Sequence, residues 1–155
     1  MIDVHASGGR TMMRAARDAA DQEAARMSRP APLVIAVTIL TSLSPETIAE
    51  IGIAGSLVEQ VARLAVLAQS SGLDGVVASP QEIAVIRARC GDRLAVVTPG
   101  IRSPSDANAD QRRTLTASQA LAAGASHLVV GRPIIAAPDP RAAAERIIAE
   151  CSSRS

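Results

Sequence analysis

The chain has 155 residues, of which 48% are hydrophobic and 20% charged, so it is long enough to bury a core and too apolar to be disordered. Its net charge is +1 and all 16 basic residues are arginines, which leaves no basic tail or stripe of the kind that binds nucleic acid. No apolar run reaches the roughly 18–20 residues of a membrane span, and Met1-Ile2-Asp3-Val4-His5 lacks the charged start and long apolar stretch of a secretory leader. Phe, Tyr and Trp are absent, so the core must be built from Val, Ile, Leu and Ala. No nucleobase can stack on an aromatic face of this chain. Cys90 and Cys151 follow no pairing pattern and fit two incidental thiols in a reduced cytoplasmic protein.

In chain order, residues 1–6 form a short apolar run, punctuated by Gly8-Gly9. Residues 10–27 carry Ala, Met and Arg at helical spacing until Arg29-Pro30-Ala31-Pro32 breaks the helix. Residues 33–40 (LVIAVTIL) are a β-branched run of strand length. A short helix starts at Thr41-Ser42-Leu43-Ser44-Pro45, with Ser44 as N-cap. Residues 57–70 (LVEQVARLAVLAQS) read as an amphipathic helix ended by Gly72. Residues 75–78 (GVVA) are a strand. Ser79-Pro80-Gln81-Glu82 then starts a helix that runs to Cys90, with Ser at N-cap, Pro at N1 and Glu at N3. Residues 94–98 are a fourth strand and 127–130 a fifth. Residues 116–123 form a helix closed by Gly124, and 140–151 form the last.

Five strands alternate with helices and no hairpin signal appears, which predicts parallel strands joined by crossovers. Strands this short and this apolar are buried on both faces. The polar signatures cluster after the strands: His5-Ala6-Ser7-Gly8-Gly9, Thr41-Ser42, Ser79, Arg102 and Arg132. That one-sided placement favours a barrel-type active face at the strands' C-terminal ends. A doubly wound open sheet fits the alternation too, but no glycine-rich dinucleotide fingerprint follows the first strand.

The most informative strings are Val97-Thr98-Pro99-Gly100-Ile101-Arg102 and Val129-Val130-Gly131-Arg132-Pro133. Each reads as a buried strand ending in a glycine and an arginine. Two such ends brought together make a phosphate pocket: glycine lets backbone N–H groups approach, and guanidinium presents paired donors. The polar loop between them ends in Asp110-Gln111-Arg112-Arg113.

These strings, with Val4-His5-Ala6-Ser7-Gly8-Gly9, Ala36-Val37-Thr38 through Leu40-Thr41-Ser42, and Gly72-Leu73-Asp74-Gly75-Val76-Val77, resemble the orotidine-5′-phosphate decarboxylase family from its fourth barrel strand to its C-terminus. The resemblance implies a (β/α)₈ TIM-type barrel, here an incomplete one with five parallel strands in a single domain over residues 1–155. It implies removal of CO₂ from orotidine monophosphate (OMP) to give UMP, with no cofactor and no metal. The nucleotide is the implied partner. Full-length members of the family are homodimers, and the N-terminal segment of the barrel would be a further partner.

By the same resemblance, Thr41 lies near the pyrimidine, and Arg102, Gln111, Gly131 and Arg132 match ligand-contacting positions. Arg132 and Gly131 would hold the phosphate, and Gln111 would close the loop over it. No catalytic residue is assigned. The family's Asp-x-Lys-x-x-Asp signature does not occur in this sequence, which contains no lysine. Such barrels also need about 200–250 residues and eight strands. The chain therefore reads as the C-terminal portion of the enzyme, keeping the phosphate and pyrimidine grip without the proton donor, and inactive alone.

His5 ends a strand on the active face but is expected to be packed and hydrogen-bonded, because the family's proton donor is a lysine. His127, beginning a strand at the opposite end, is expected to be structural. Asp74, Asp92, Asp106, Asp110 and Asp139 are scattered, with no pair placed for metal or acid–base work. Two other readings stand beside the decarboxylase. One is a noncatalytic half-barrel that binds phosphate or assembles with a partner. The other is a different phosphate-binding barrel enzyme, which the Thr41-Ser42 and Asp110-Gln111-Arg112-Arg113 signatures oppose.

Overall fold

The computed structural model describes residues 1–101 and 115–152. Its frame is a sheet of five parallel strands in sequential order. The strands are β1 (Ile2–His5), β2 (Val34–Val37), β3 (Gly75–Val77), β4 (Ala95–Thr98) and β5 (His127–Leu128). Between and after them run α1 (Gly9–Arg26), α2 (Pro45–Glu50), α3 (Leu57–Ser70), α4 (Ile83–Cys90), α5 (Ala117–Ala122), α6 (Arg132–Ile135) and α7 (Pro140–Ser152). All five predicted strands and every predicted helix are present. Sequential order with parallel pairing is the strand arrangement of a barrel wall rather than of a doubly wound sheet, whose order reverses at a switch point.

The local signals act as their chemistry requires. Ser44 accepts from the Thr47 N–H, and Ser56 accepts from the Glu59 N–H, so each helix start has a satisfied donor. Helix α3 closes with Gly72 at φ +84°, which lets the Leu73 N–H reach back to the Ala68 carbonyl at 3.2 Å. Two features departed from expectation. The fifth strand pairs over two residues only. The chain then turns at Gly131 into the single turn of α6, whose Arg132-Pro133 start sets proline in the first turn, where no donor is lost.

Alternation along the strands divides their side chains between two faces. Val34, Ala36, Val76 and Val96 face the helices and form one core with Val61, Ala65 and Ala68 of α3 and Ile83 and Ile86 of α4. Ile35, Val37, Val77 and Val97 alternate with these and lie on the other, concave face. Gly75 is required there: a Cβ would stand 2.6 Å from the Ala95 carbonyl oxygen and 2.8 Å from the Ala95 Cβ. With no aromatic side chain, the sheet and α3 close on each other through alanines.

Two polar clamps tie the N-terminal end of the sheet. Asp74 Oδ2 accepts from Arg17 Nη1 at 2.6 Å and from the Val34 N–H at 2.7 Å. The Asp74 backbone also bonds the Val34 carbonyl and the Ala95 N–H. Arg87 spends its guanidinium on carbonyls: Gly124 at 3.0 and 2.7 Å, Gly91 at 2.9 Å and Leu94 at 2.6 Å. The end of α4, the start of β4 and the turn before β5 are thereby held by one side chain. Asp74, read as one of several scattered carboxylates, is thus part of the scaffold.

Candidate functional site at the C-terminal ends of the strands

The register runs His5↔Val37↔Val77↔Val97↔His127, so these five residues form one row across the sheet on the concave face. This corrects the expectation for His127. It begins its strand, yet it stands level with His5, because β5 starts late and pairs with the upper half of β4. His5 differs too. It is exposed and its imidazole makes no hydrogen bond among the described residues, on the edge strand of the described sheet.

Just beyond this row the described polar signatures follow the strands at their C-terminal ends. Thr41 follows β2 in a turn where the Leu43 N–H bonds the Leu40 carbonyl. The cap of α2 is Ser44, so the Thr41 hydroxyl is not used as a cap, and it has no hydrogen-bond partner among the described residues. Gly131 and Arg132 follow β5, three strands away along the same edge, or ~14 Å at the usual strand spacing. Arg132 is exposed and makes no ion pair or hydrogen bond among the described residues. The N–H of Gly131 likewise has no acceptor there, while its carbonyl accepts from Ile134 and Ile135. A Cβ at Gly131 would meet no atom within 4 Å, so packing does not demand glycine at that position. Among the described residues, open space, an N–H without an acceptor and a guanidinium without a partner therefore coincide. Arg102 and Gln111, with Asp110, Arg112 and Arg113, lie outside the described residues.

Under this edge lies a buried polar layer whose burial the sequence did not show. Ser79 and Glu82 are 1% and 2% exposed. The Glu82 carboxylate accepts from the Ser79 N–H at 3.0 Å and from the Ser79 hydroxyl. The Ser-x-x-Glu spacing announced this box, but spacing does not reveal its depth. Thr38 donates to the Val77 carbonyl at 2.8 Å, and the fully buried Thr98 hydroxyl has no hydrogen-bond partner among the described residues. The described His, Cys, Asp and Glu residues form no group of three that could hold a metal. Cys90 and Cys151 are both free. Burial pushes the Cys90 thiol up, against the smaller opposing pull of Arg87 and Arg89.

Comparison with known proteins decides the family. The model of the orotidine 5′-phosphate decarboxylase / HUMPS family matches residues 1–147. The chain belongs to this family. It is 56% identical to the orotidine 5′-phosphate decarboxylase of Moorella thermoacetica over 97% of this chain and 60% of that protein. With the enzyme of Hahella chejuensis it shares 53% identity over 99% of this chain and 64% of the relative. The crystal structure of orotidine 5′-phosphate decarboxylase from Lactobacillus acidophilus superposes with a TM-score of 0.79 at 38% identity, covering 97% of this chain and 62% of that one. An uncharacterized conserved protein from Geobacillus kaustophilus gives 0.78 at 39% identity, covering 96% and 62%.

The orotidine 5′-phosphate decarboxylase family is thus shown, and with it the TIM-barrel architecture. The chain spans about 60% of the length of the first curated relative it matches. Five of eight strands is about the same share.

Proposed function

We propose that this chain is the C-terminal portion, strands four to eight, of an orotidine 5′-phosphate decarboxylase barrel, a single domain that grips the phosphate and pyrimidine of OMP or UMP. The observation that carries this reading is the group at the end of β5. Among the described residues Arg132 has no ion pair or hydrogen bond, the Gly131 N–H has no acceptor and a Cβ at Gly131 would meet nothing, and Thr41 follows β2 at the same end of the strands. An arginine held for phosphate needs no protein carboxylate, and a glycine with no packing reason leaves its N–H approachable. In this reading Arg132 and the Gly131 N–H take phosphate oxygens, Thr41 hydrogen-bonds an edge of the pyrimidine, and Arg102 and Gln111 complete the grip.

The chemistry is a separate matter. Loss of CO₂ leaves developing negative charge on C6 of the pyrimidine, and the resemblance supplies a lysine ammonium to stabilise and then protonate that carbon. This chain has no lysine. Arginine cannot substitute as the donor, because its pKa lies far above the range that transfers a proton at neutral pH. Phosphate binding supplies remote energy that chemistry can use only where the reacting groups are present. We therefore infer that the chain by itself binds UMP weakly and does not decarboxylate OMP. In the complete barrel we expect a homodimer working in the cytoplasm, with both cysteines reduced.

The test is release of labelled CO₂ from carboxyl-labelled OMP. The chain is to be purified from a host whose own decarboxylase gene is deleted. No release above the buffer blank is expected. Turnover that co-purifies with the chain and falls in Arg132→Ala would sink the inactive-alone reading.

A further inference from the structure

We propose that the cleft at the N-terminal ends of β2, β3 and β4 binds a small zwitterion with an aliphatic body, the chemistry of an apolar amino acid. The three strands that frame it are three or four residues long, which sets it roughly 10–13 Å from the opposite end, where Thr41 and Arg132 stand. It is therefore independent of the nucleotide reading. Neither β1 nor β5 lines it.

The cleft encloses about 470 Å³, within the roughly 300–1,000 Å³ of small-molecule sites. Its walls come from three successive strand entries and one helix end. Leu33 precedes β2, Leu73 and Asp74 precede β3, and Arg93 and Leu94 precede β4, while Gln69 stands in the last turn of α3. Leu73 and Leu94 are buried and Leu33 is 40% exposed, so the three leucines give the cleft an apolar floor.

Each polar group of the wall keeps bonding capacity unused among the described residues. Both bonds to the Asp74 side chain, from Arg17 Nη1 and the Val34 N–H, fall on Oδ2, which leaves Oδ1 without a donor. Gln69 donates through Nε2 to the Cys90 carbonyl at 2.8 Å, which fixes its amide and leaves Oε1 without a donor. Arg93 is exposed and makes no ion pair or hydrogen bond there.

Arg93 and Asp74 thus bring opposite charges to one cleft and do not pair with each other, and Arg17 already serves Asp74. A molecule carrying both charges bridges them. Its carboxylate takes the Arg93 donors, its ammonium gives to Asp74 Oδ1 and Gln69 Oε1, and its hydrocarbon lies on the leucines. A simple anion meets the Asp74 carboxylate and a simple cation meets Arg93, so a single charge of either sign is selected against.

The probe is L-leucine, titrated into the ¹⁵N-labelled chain without nucleotide. The amide signals of Leu73, Asp74, Arg93 and Leu94 should shift together and saturate by about 10 mM, with those of Thr41 and Gly131 unmoved. Two analogues each lack one charge: 4-methylpentanoate has no ammonium and isoamylamine no carboxylate. Each should bind about tenfold more weakly or worse. Arg93→Gln should weaken leucine by about tenfold and leave isoamylamine as it was, with an unchanged urea midpoint because the side chain has no partner to lose. No saturable shift with leucine would overturn the proposal. So would an analogue that binds as tightly as leucine, or displacement of leucine by UMP. The analogue series uses the unaltered chain, so it decides the matter even where the variant is less stable. A chain that binds leucine and no UMP keeps this site and loses the nucleotide reading, and the opposite result does the reverse.

Discussion

Replacing Asp74 with alanine removes two things at once from the N-terminal end of the sheet. The Val34 N–H, on a residue with no exposed surface, loses its acceptor at 2.7 Å. Arg17, with a side chain 13% exposed, loses one of its two carboxylate partners. Leaving a buried donor unsatisfied costs about 1–3 kcal/mol. The ion pair is worth less, about 0.5–1 kcal/mol, because Asp74 is 34% exposed and Arg17 keeps Asp21. Asp74→Ala should therefore destabilise by about 2–3 kcal/mol. Asp74→Asn keeps an oxygen for the Val34 N–H and loses only the charge, so its cost should be about 1 kcal/mol. Urea unfolding followed by far-ultraviolet circular dichroism measures both, with the slope compared to confirm that the same surface is exposed. Equal losses in the two variants would refute the division between hydrogen bond and charge. Losses below about 0.5 kcal/mol in both would refute the clamp itself.

Arg87→Met should cost about 2–3 kcal/mol by the same unfolding assay, since three elements lose one common donor; a change within error would mean that water replaces it fully. Gly75→Ala and Gly131→Ala should separate packing from binding. The first must push the Ala95 backbone aside and should lower stability by about 2 kcal/mol or more, whereas the second meets open space, should stay within about 0.5 kcal/mol, and should weaken UMP binding. The reverse ranking would contradict the geometry at both sites. Cys90, 9% exposed and with its thiol pushed up by burial, should alkylate with iodoacetamide more slowly than the half-buried Cys151 at pH 8, and mass spectrometry of the peptides reads this directly.

The fold was legible where local chemistry and long-range pattern agreed. Ser44, Gly72 and the Ser79-to-Glu82 spacing each mark an element end that forms in the structure. The strands of the wall could be read from β-branched runs because both their faces are covered. What could not be read depended on register and depth. The row that sets His127 level with His5 follows from the stagger between β4 and β5, which no periodicity encodes. The α6 turn is four residues long, below the length at which a repeat shows. Glu82 is a surface residue by composition and a buried one by position, because the turn after β3 folds it back under Ser79. At the candidate site, Gly131 and Arg132 are named from a two-residue signature, and the structure adds that Arg132 is exposed and that packing does not demand glycine at 131. Thr41 is a ligand contact by the resemblance alone, and the structure adds that its hydroxyl does not cap α2, where Ser44 does. Arg102 and Gln111 rest on the resemblance alone, outside the described residues.

The central claim is that the grip forms in this chain and the chemistry does not. Titration of UMP into the purified chain by calorimetry, beside Arg132→Ala, tests the grip most directly. The account predicts weak binding that falls about tenfold or more in the variant, with both proteins unfolding at the same urea concentration. A folded chain that binds no UMP, or binds it equally well without the Arg132 guanidinium, would contradict it.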